Sequence, residues 1–159
     1  MDDRFTILKP TPNQPPSVSI TAPAEGATFT APANITITAS ATDADGTVAQ
    51  VDFYAGAALI GSDTSAPFSV SWSGVAAGNY SLTAVATDNL GAATASAAVN
   101  ITVNVAPPAA PAGLTATGGD AQVALTWNAS SGAASYNVKR ATVSGGPYTA
   151  IATGIAAAS

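Results

Sequence analysis

Runs in which apolar and hydroxyl side chains trade places at every second position recur through the first two thirds of the chain, and they constrain its fold more than any other feature. Ile35, Ile37, Ala39 and Ala41 alternate with Thr36, Thr38, Ser40 and Thr42. A period of two puts one set on each face of an extended strand, whereas on a helix the same residues would scatter around the axis. Val18 and Ile20 begin the series. Val51 and Phe53 oppose Asp52 and Tyr54, Leu59-Ile60 follows a turn at Gly56, and Phe68, Val70 and Trp72 alternate with serines. Tyr80, Leu82, Ala84 and Ala86 form the next run, and Ala93 to Val103 gives the longest. These are seven strands with turn residues between them.

Two proline-rich stretches, at 10–16 and 106–111, divide the chain. Proline at this density favours extended, semi-rigid spacers. The expected organisation is an N-terminal arm and linker at 1–15, a β-sandwich at 16–104, a second linker at 105–111 and a shorter β-rich piece at 112–159. Seven short antiparallel strands within 16–104 read as an immunoglobulin-like sandwich. Its expected core is Val18, Ile20, Ile35, Ile37, Val51, Phe53, Phe68, Val70, Trp72, Tyr80, Leu82, Val99 and Ile101. Alanine, 38 of the 159 residues, fills the remaining inward positions, which lets the sheets lie close together.

The stretch Ala41-Thr42-Asp43-Ala44-Asp45-Gly46-Thr47-Val48, followed by Val51-Asp52-Phe53-Tyr54, Leu59-Ile60-Gly61, Pro67-Phe68-Ser69-Val70-Ser71-Trp72 and the run from Ala77 to Gly91, resembles the bacterial Ig-like domains of large secreted proteins. The resemblance covers 16–104. It implies an all-β fold and a setting among glycan-degrading enzymes, adhesins and surface appendages. The piece from Pro111 through Val123-Ala124-Leu125-Thr126-Trp127 and Ser135-Tyr136-Asn137-Val138 resembles the first half of a fibronectin type III domain, with Trp127 at the core tryptophan. About four of its strands are present, so a partial sandwich is expected, with apolar surface and strand edges in water. Such edges invite pairing with another chain. Leu125 and Trp127 are the expected partner-binding residues on the partial domain. Phe5 and Ile7, within Phe5-Thr6-Ile7-Leu8, form a candidate strand that adds to an exposed edge.

Histidine and cysteine are absent. Ser-His-Asp and Cys-His catalysis, imidazole or thiolate zinc sites and disulfides are therefore excluded. Glu25 is the sole glutamate and falls at the opposite pole of the expected sandwich from the aspartates, so a paired-carboxylate hydrolase is not expected. The net charge is −5, and the cations Arg4, Lys9, Lys139 and Arg140 all lie near the ends. Nucleic acid and anionic membranes are poor partners for such a chain, and no apolar run reaches the length of a membrane span. Met1-Asp2-Asp3-Arg4 lacks the apolar core of a secretory signal, so either the signal has been removed or the chain was never secreted.

Two binding sites are expected on the sandwich. Asp43, Asp45, Asp63 and Asp88 fall on connections that share one pole, and hard carboxylate oxygens suit calcium, although Asp and Gly are also ordinary turn residues. Tyr54 is the central aromatic whose phase points outward, where a ring could stack on a polysaccharide. No cofactor is required. The Asn-x-Ser/Thr triplets at Asn34, Asn79, Asn100 and Asn128 are frequent by chance in a chain rich in Ser and Thr. The expected function is a non-catalytic spacer or adhesion module, extracellular or at a cell or virion surface. A subunit of a filament or virus particle, joined to copies of itself by strand addition, is the competing expectation, and a weak carbohydrate-binding accessory module is a third.

Overall fold

The computed structural model describes residues 11–156, and every regular element among them is a strand. The chain divides into two compact units, 1–106 and 107–159. The first holds β1 (Ser17–Ala22), β2 (Thr28–Thr30), β3 (Ala33–Thr42), β4 (Val48–Ala55), β5 (Ala58–Asp63), β6 (Phe68–Val75), β7 (Gly78–Asp88), β8 (Ala93–Ala95) and β9 (Val99–Asn104). One sheet runs β1-β3-β6 and the other runs β2-β9-β7-β4-β5, with β8 also paired to β7.

The alternation read from the sequence sets the register. In β3, Ala33, Ile35, Ile37 and Ala39 are buried while Asn34, Thr36 and Ser40 face solvent. In β7, Leu82, Ala84 and Ala86 are fully buried, and across the strand pair Ala84 sits opposite Phe53 and Ala86 opposite Val51. A methyl group beside each large side chain leaves room for that side chain to fill the space between the sheets, as close packing requires.

Three expectations are corrected. The sandwich has nine strands rather than seven, partly because the longest run is broken at Ser96. There the Ser96 hydroxyl accepts a hydrogen bond from the Ala84 N–H at 3.0 Å, and the Ser96 N–H donates to the Ala84 carbonyl. Both β8 and β9 therefore lie along β7, separated by a local irregularity. The second additional strand is β2, which pairs parallel to β9, so the sandwich is not wholly antiparallel. The chain leaves the sheet of β1 after Ala22 and enters the other sheet at β2, alongside β9. Finally, Val18, Ile20, Val70, Trp72, Tyr80 and Val99 are only partly buried against the core, whereas Val75 and Val103 belong to it. The partly buried set includes residues of β1 and β6, the outer strands of their sheet, where one flank is open.

The second unit holds β10 (Ala112–Gly119), β11 (Gln122–Asn128), β12 (Tyr136–Arg140) and β13 (Thr149–Ile155). These form two separate hairpins, β10-β11 and β12-β13, with no ladder between them among the described residues. Tyr136 is its buried hydrophobic residue, while Leu114, Val123, Tyr148 and Ile151 are exposed. Phe5 and Ile7 lie outside the described residues.

Candidate functional site

The pole of the first unit that carries Asp43, Asp45 and Asp88 is built by backbone hydrogen bonding. The Asn89 N–H donates to the Thr47 carbonyl, and the Thr47 N–H donates back to Asn89 Oδ1 at 2.9 Å, clamping the β3-β4 loop to the end of β7. A side chain at Gly46 would collide with Asn89 Oδ1 and put its Cβ 2.7 Å from Asp43 Oδ2, so this position needs glycine for space. Asp88 is 3% exposed. Its carboxylate accepts the Leu90 N–H at 2.8 Å, the Ala92 N–H at 2.9 Å and the Asn13 side-chain amide at 2.8 Å. Burial pushes the Asp88 carboxyl up, but the hydrogen bonds from Asn13, Leu90, Ala92 and Gly91 outweigh it and hold the group below its ordinary value.

The other carboxylates are used locally. Asp63 accepts the Ser69 N–H at 2.8 Å and the Ser65 N–H at 3.1 Å across the β5-β6 turn, and these bonds lower its pKa. Asp45 accepts the Gln14 N–H at 3.1 Å. No group of three or more acidic side chains capable of holding a metal ion occurs among the described residues. The expected convergence of four aspartates on one cation site is therefore corrected: among the described residues they form no such group, and Asp45, Asp63 and Asp88 each accept turn or linker hydrogen bonds. Asp43 differs from the rest, because both of its carboxylate oxygens are buried with no donor among the described residues.

The sequence reading missed Asn13 and Gln14. The proline-rich stretch that contains them reads as a free spacer, yet these two residues are tied to Asp88 and Asp45, and Pro16 is buried. Asn-Gln within a proline run carries no local signal for a partner 75 positions away.

Tyr54 is half-buried on the outer face of β4, opposite Leu59 of β5 and Thr83 of β7. Trp72 and Tyr80 pack edge to face at 4.9 Å, and the Tyr80 hydroxyl donates to the Ala76 carbonyl. Tyr54 is thus an outward-facing central aromatic, and no second ring joins it among the aromatic pairs of the described residues. Glu25 is occupied by Asn100, whose backbone N–H and side-chain amide both donate to it.

A cavity lies within the second unit. It measures about 490 Å³ and is lined by Leu114, Val123, Leu125, Trp127, Val138 and Ile151, with Lys139 and Arg140 at its polar side. Trp127 packs against Tyr136 at 5.5 Å, and the Tyr136 hydroxyl accepts the Ser130 N–H. Leu125 and Trp127 are both half-buried and both line this groove. The indole N–H of Trp127 is buried without an acceptor. A buried donor with no partner is costly, by about 1–3 kcal/mol, and marks a core short of polar partners.

The family model for the bacterial Ig domain matches residues 16–84. No curated protein matches the chain. Among solved structures, the chain is similar to the fibronectin(III)-like modules of Clostridium thermocellum CbhA, at 36% identity and a TM-score of 0.54 over 57% of this chain and 99% of that one. It is also similar to the PKD1 domain of Vibrio anguillarum Epp, at 22% identity and a TM-score of 0.45 over 60% and 100% of the two chains. A structure describing the promiscuous specificity of carbohydrate-binding modules from the β-sandwich superfamily is similar at 26% identity and a TM-score of 0.47, over 60% of this chain and 37% of that one.

Proposed function

Since residues 16–84 match the family model for the bacterial Ig domain, we propose that the chain is a non-catalytic structural module of a larger surface-exposed protein. In this reading the first unit spaces and the second unit engages another polypeptide. The observation that carries it is the groove of about 490 Å³, whose walls include Leu114 at 67%, Val123 at 64% and Ile151 at 59% exposure. Contiguous apolar surface of this kind marks an interaction site, while scattered apolar residues do not. The first unit supports the passive half of the reading: among its described residues, the carboxylates other than Asp43 accept hydrogen bonds from turn, linker or strand donors.

A hydrophobic fluorescent dye tests the groove. Its emission with the full chain should fall severalfold in Leu114→Ser/Val123→Ser and stay unchanged in Leu90→Ser, a control on the first unit that is 68% exposed. Equal emission from all three proteins would remove the reading.

A second reading rests on Asp43, whose two buried oxygens lack donors. Calcium takes oxygen ligands from carboxylates and carbonyls together, so a loop with one free carboxylate is where the cation would bind. Millimolar calcium should raise the melting midpoint of the chain, and Asp43→Ala should abolish the rise. An unchanged midpoint in the parent chain would remove calcium. The single outward ring of Tyr54 gives a sugar no convergent polar groups, and polysaccharide binding is not part of the proposal.

A further inference from the structure

We propose that the groove of the second unit receives strand β5 from the first unit of a second copy of this chain, so that copies join head to tail. This rests on the reading of the groove as an interaction face and names its occupant.

The groove asks for a free strand edge, an apolar side chain beside that edge, and negative charge. Strand β12 lines the groove with Tyr136, Val138, Lys139 and Arg140, and among the described residues it is hydrogen-bonded to β13 alone. Its other edge presents unpaired N–H and C=O groups, which an added strand satisfies.

One edge of the first unit fits. The outer strands of its two sheets are β1, β6, β2 and β5. The exposed side chains of β1, β2 and β6 are serine and threonine, which offer little apolar surface. Strand β5 differs. Leu59 is 56% exposed and is the one exposed large hydrophobic residue on the described strands of that unit. It sits opposite Tyr54 on the outer face of β4, and Asp52, two residues from Tyr54, shares that face opposite Ser62. The Asp52 carboxylate accepts hydrogen bonds from the Ser62 hydroxyl and the Gln50 amide. Both donors are neutral, so the negative charge remains to meet a cation.

Charge divides the two units in the same sense. Residues 11–106 hold Glu25, Asp43, Asp45, Asp52, Asp63 and Asp88 and no lysine or arginine, whereas residues 107–159 hold Lys139 and Arg140 against Asp120. Two first units therefore repel each other, while a first unit is drawn to the cationic side of the groove. Strand and groove belong to different units, so the contact is heterologous: each copy can give one strand and receive one.

Sedimentation of the full chain over a range of concentrations tests this. The parent should associate as concentration rises. Leu59→Ser keeps the groove and spoils the strand, and Leu114→Ser/Val123→Ser does the reverse. Each should sediment alone as a monomer, and an equimolar mixture should form a heterodimer. All three positions are exposed, so the first unit should melt at the parent's midpoint in both variants. Asp52→Lys and Lys139→Glu/Arg140→Glu should each weaken association about tenfold or more, and the chain carrying all three changes should recover it.

Association that persists in Leu59→Ser but is lost in Leu114→Ser/Val123→Ser would overturn this proposal and leave the interaction face standing with another occupant. Two variants that remain monomers when mixed would overturn it as well, and so would charge variants that associate as the parent does. A parent that stays monomeric at every concentration yet binds the dye would overturn it too. Dye emission indifferent to Leu114→Ser/Val123→Ser would instead remove the underlying reading.

Discussion

Both units contain a tryptophan packed edge to face on a tyrosine, Trp72 on Tyr80 and Trp127 on Tyr136, yet only the first unit closes around a core. In the first, Val51, Phe53, Leu82, Ala84 and Ala86 have no exposed surface, while in the second Tyr136 alone is buried among the described hydrophobic residues. Strand alternation is therefore not sufficient to bury a face. It defines one, and a second sheet has to cover it. The strands of the first unit form two sheets that supply that cover for each other. The strands of the second form two hairpins that are not joined by a ladder, and the groove between them stays apolar and open.

The largest effect that could break this contrast is expected at Phe53. Its side chain has no exposed surface, and truncation leaves a cavity that neighbouring alanines cannot fill. Phe53→Ala should cost about 3–5 kcal/mol in chemical denaturation of the first unit. Leu114→Ala in the second unit, 67% exposed, should stay within about 0.5 kcal/mol. Comparable losses at the two positions would erase the difference between the units.

An intermediate effect is expected at Gly46. Gly46→Ala forces its new Cβ against Asn89 Oδ1 and Asp43 Oδ2 and should cost about 1–2 kcal/mol, read as a shifted denaturation midpoint. The neighbours it meets are side-chain ends, so Asn89 can move only by giving up the Thr47 N–H.

The gentlest probe is acid. Asp63 and Asp88 are held below the ordinary value of 3.8 in the folded chain, so their contribution is complete above the usual carboxylate range and is lost as pH falls through their lowered values. The melting midpoint of the first unit should be flat from neutral pH to about 5 and drop below about 4. Asp63→Asn/Asp88→Asn should flatten that drop. Since both aspartates belong to the first unit, the second should show no matching step from them.

Much of the sandwich was legible because β3, β6 and β7 alternate cleanly and their turns carry Gly, Asp or Asn. The inward alanines were legible in kind, and Ala84 and Ala86 pair with the bulky residues of β4. Strand β2 was not, since Thr28–Thr30 is too short to display a period, and its pairing with β9 depends on a change of sheet that no local residue announces. The break at Ser96 was hidden for a similar reason: a serine on the polar face of a strand reads the same as one whose hydroxyl receives a backbone hydrogen bond. At the pole, sequence order placed the aspartates at one end of the sandwich but could not show that Asn13 and Gln14 would return to claim Asp88 and Asp45. Long-range partners of that kind depend on the folded path. Trp127 and Leu125 were legible as apolar residues of a partial sandwich, while the groove that both of them line was not, because it takes β10 to β13 together to form it.

Amide hydrogen exchange on the full chain tests the contrast between a closed and an open unit most directly. Amides in the ladders of β3, β4 and β7 should exchange only through global unfolding, while those of β10 to β13 should exchange orders of magnitude faster, through local opening. Equal protection across β3 and β11, at a concentration where the chain is monomeric, would contradict the account.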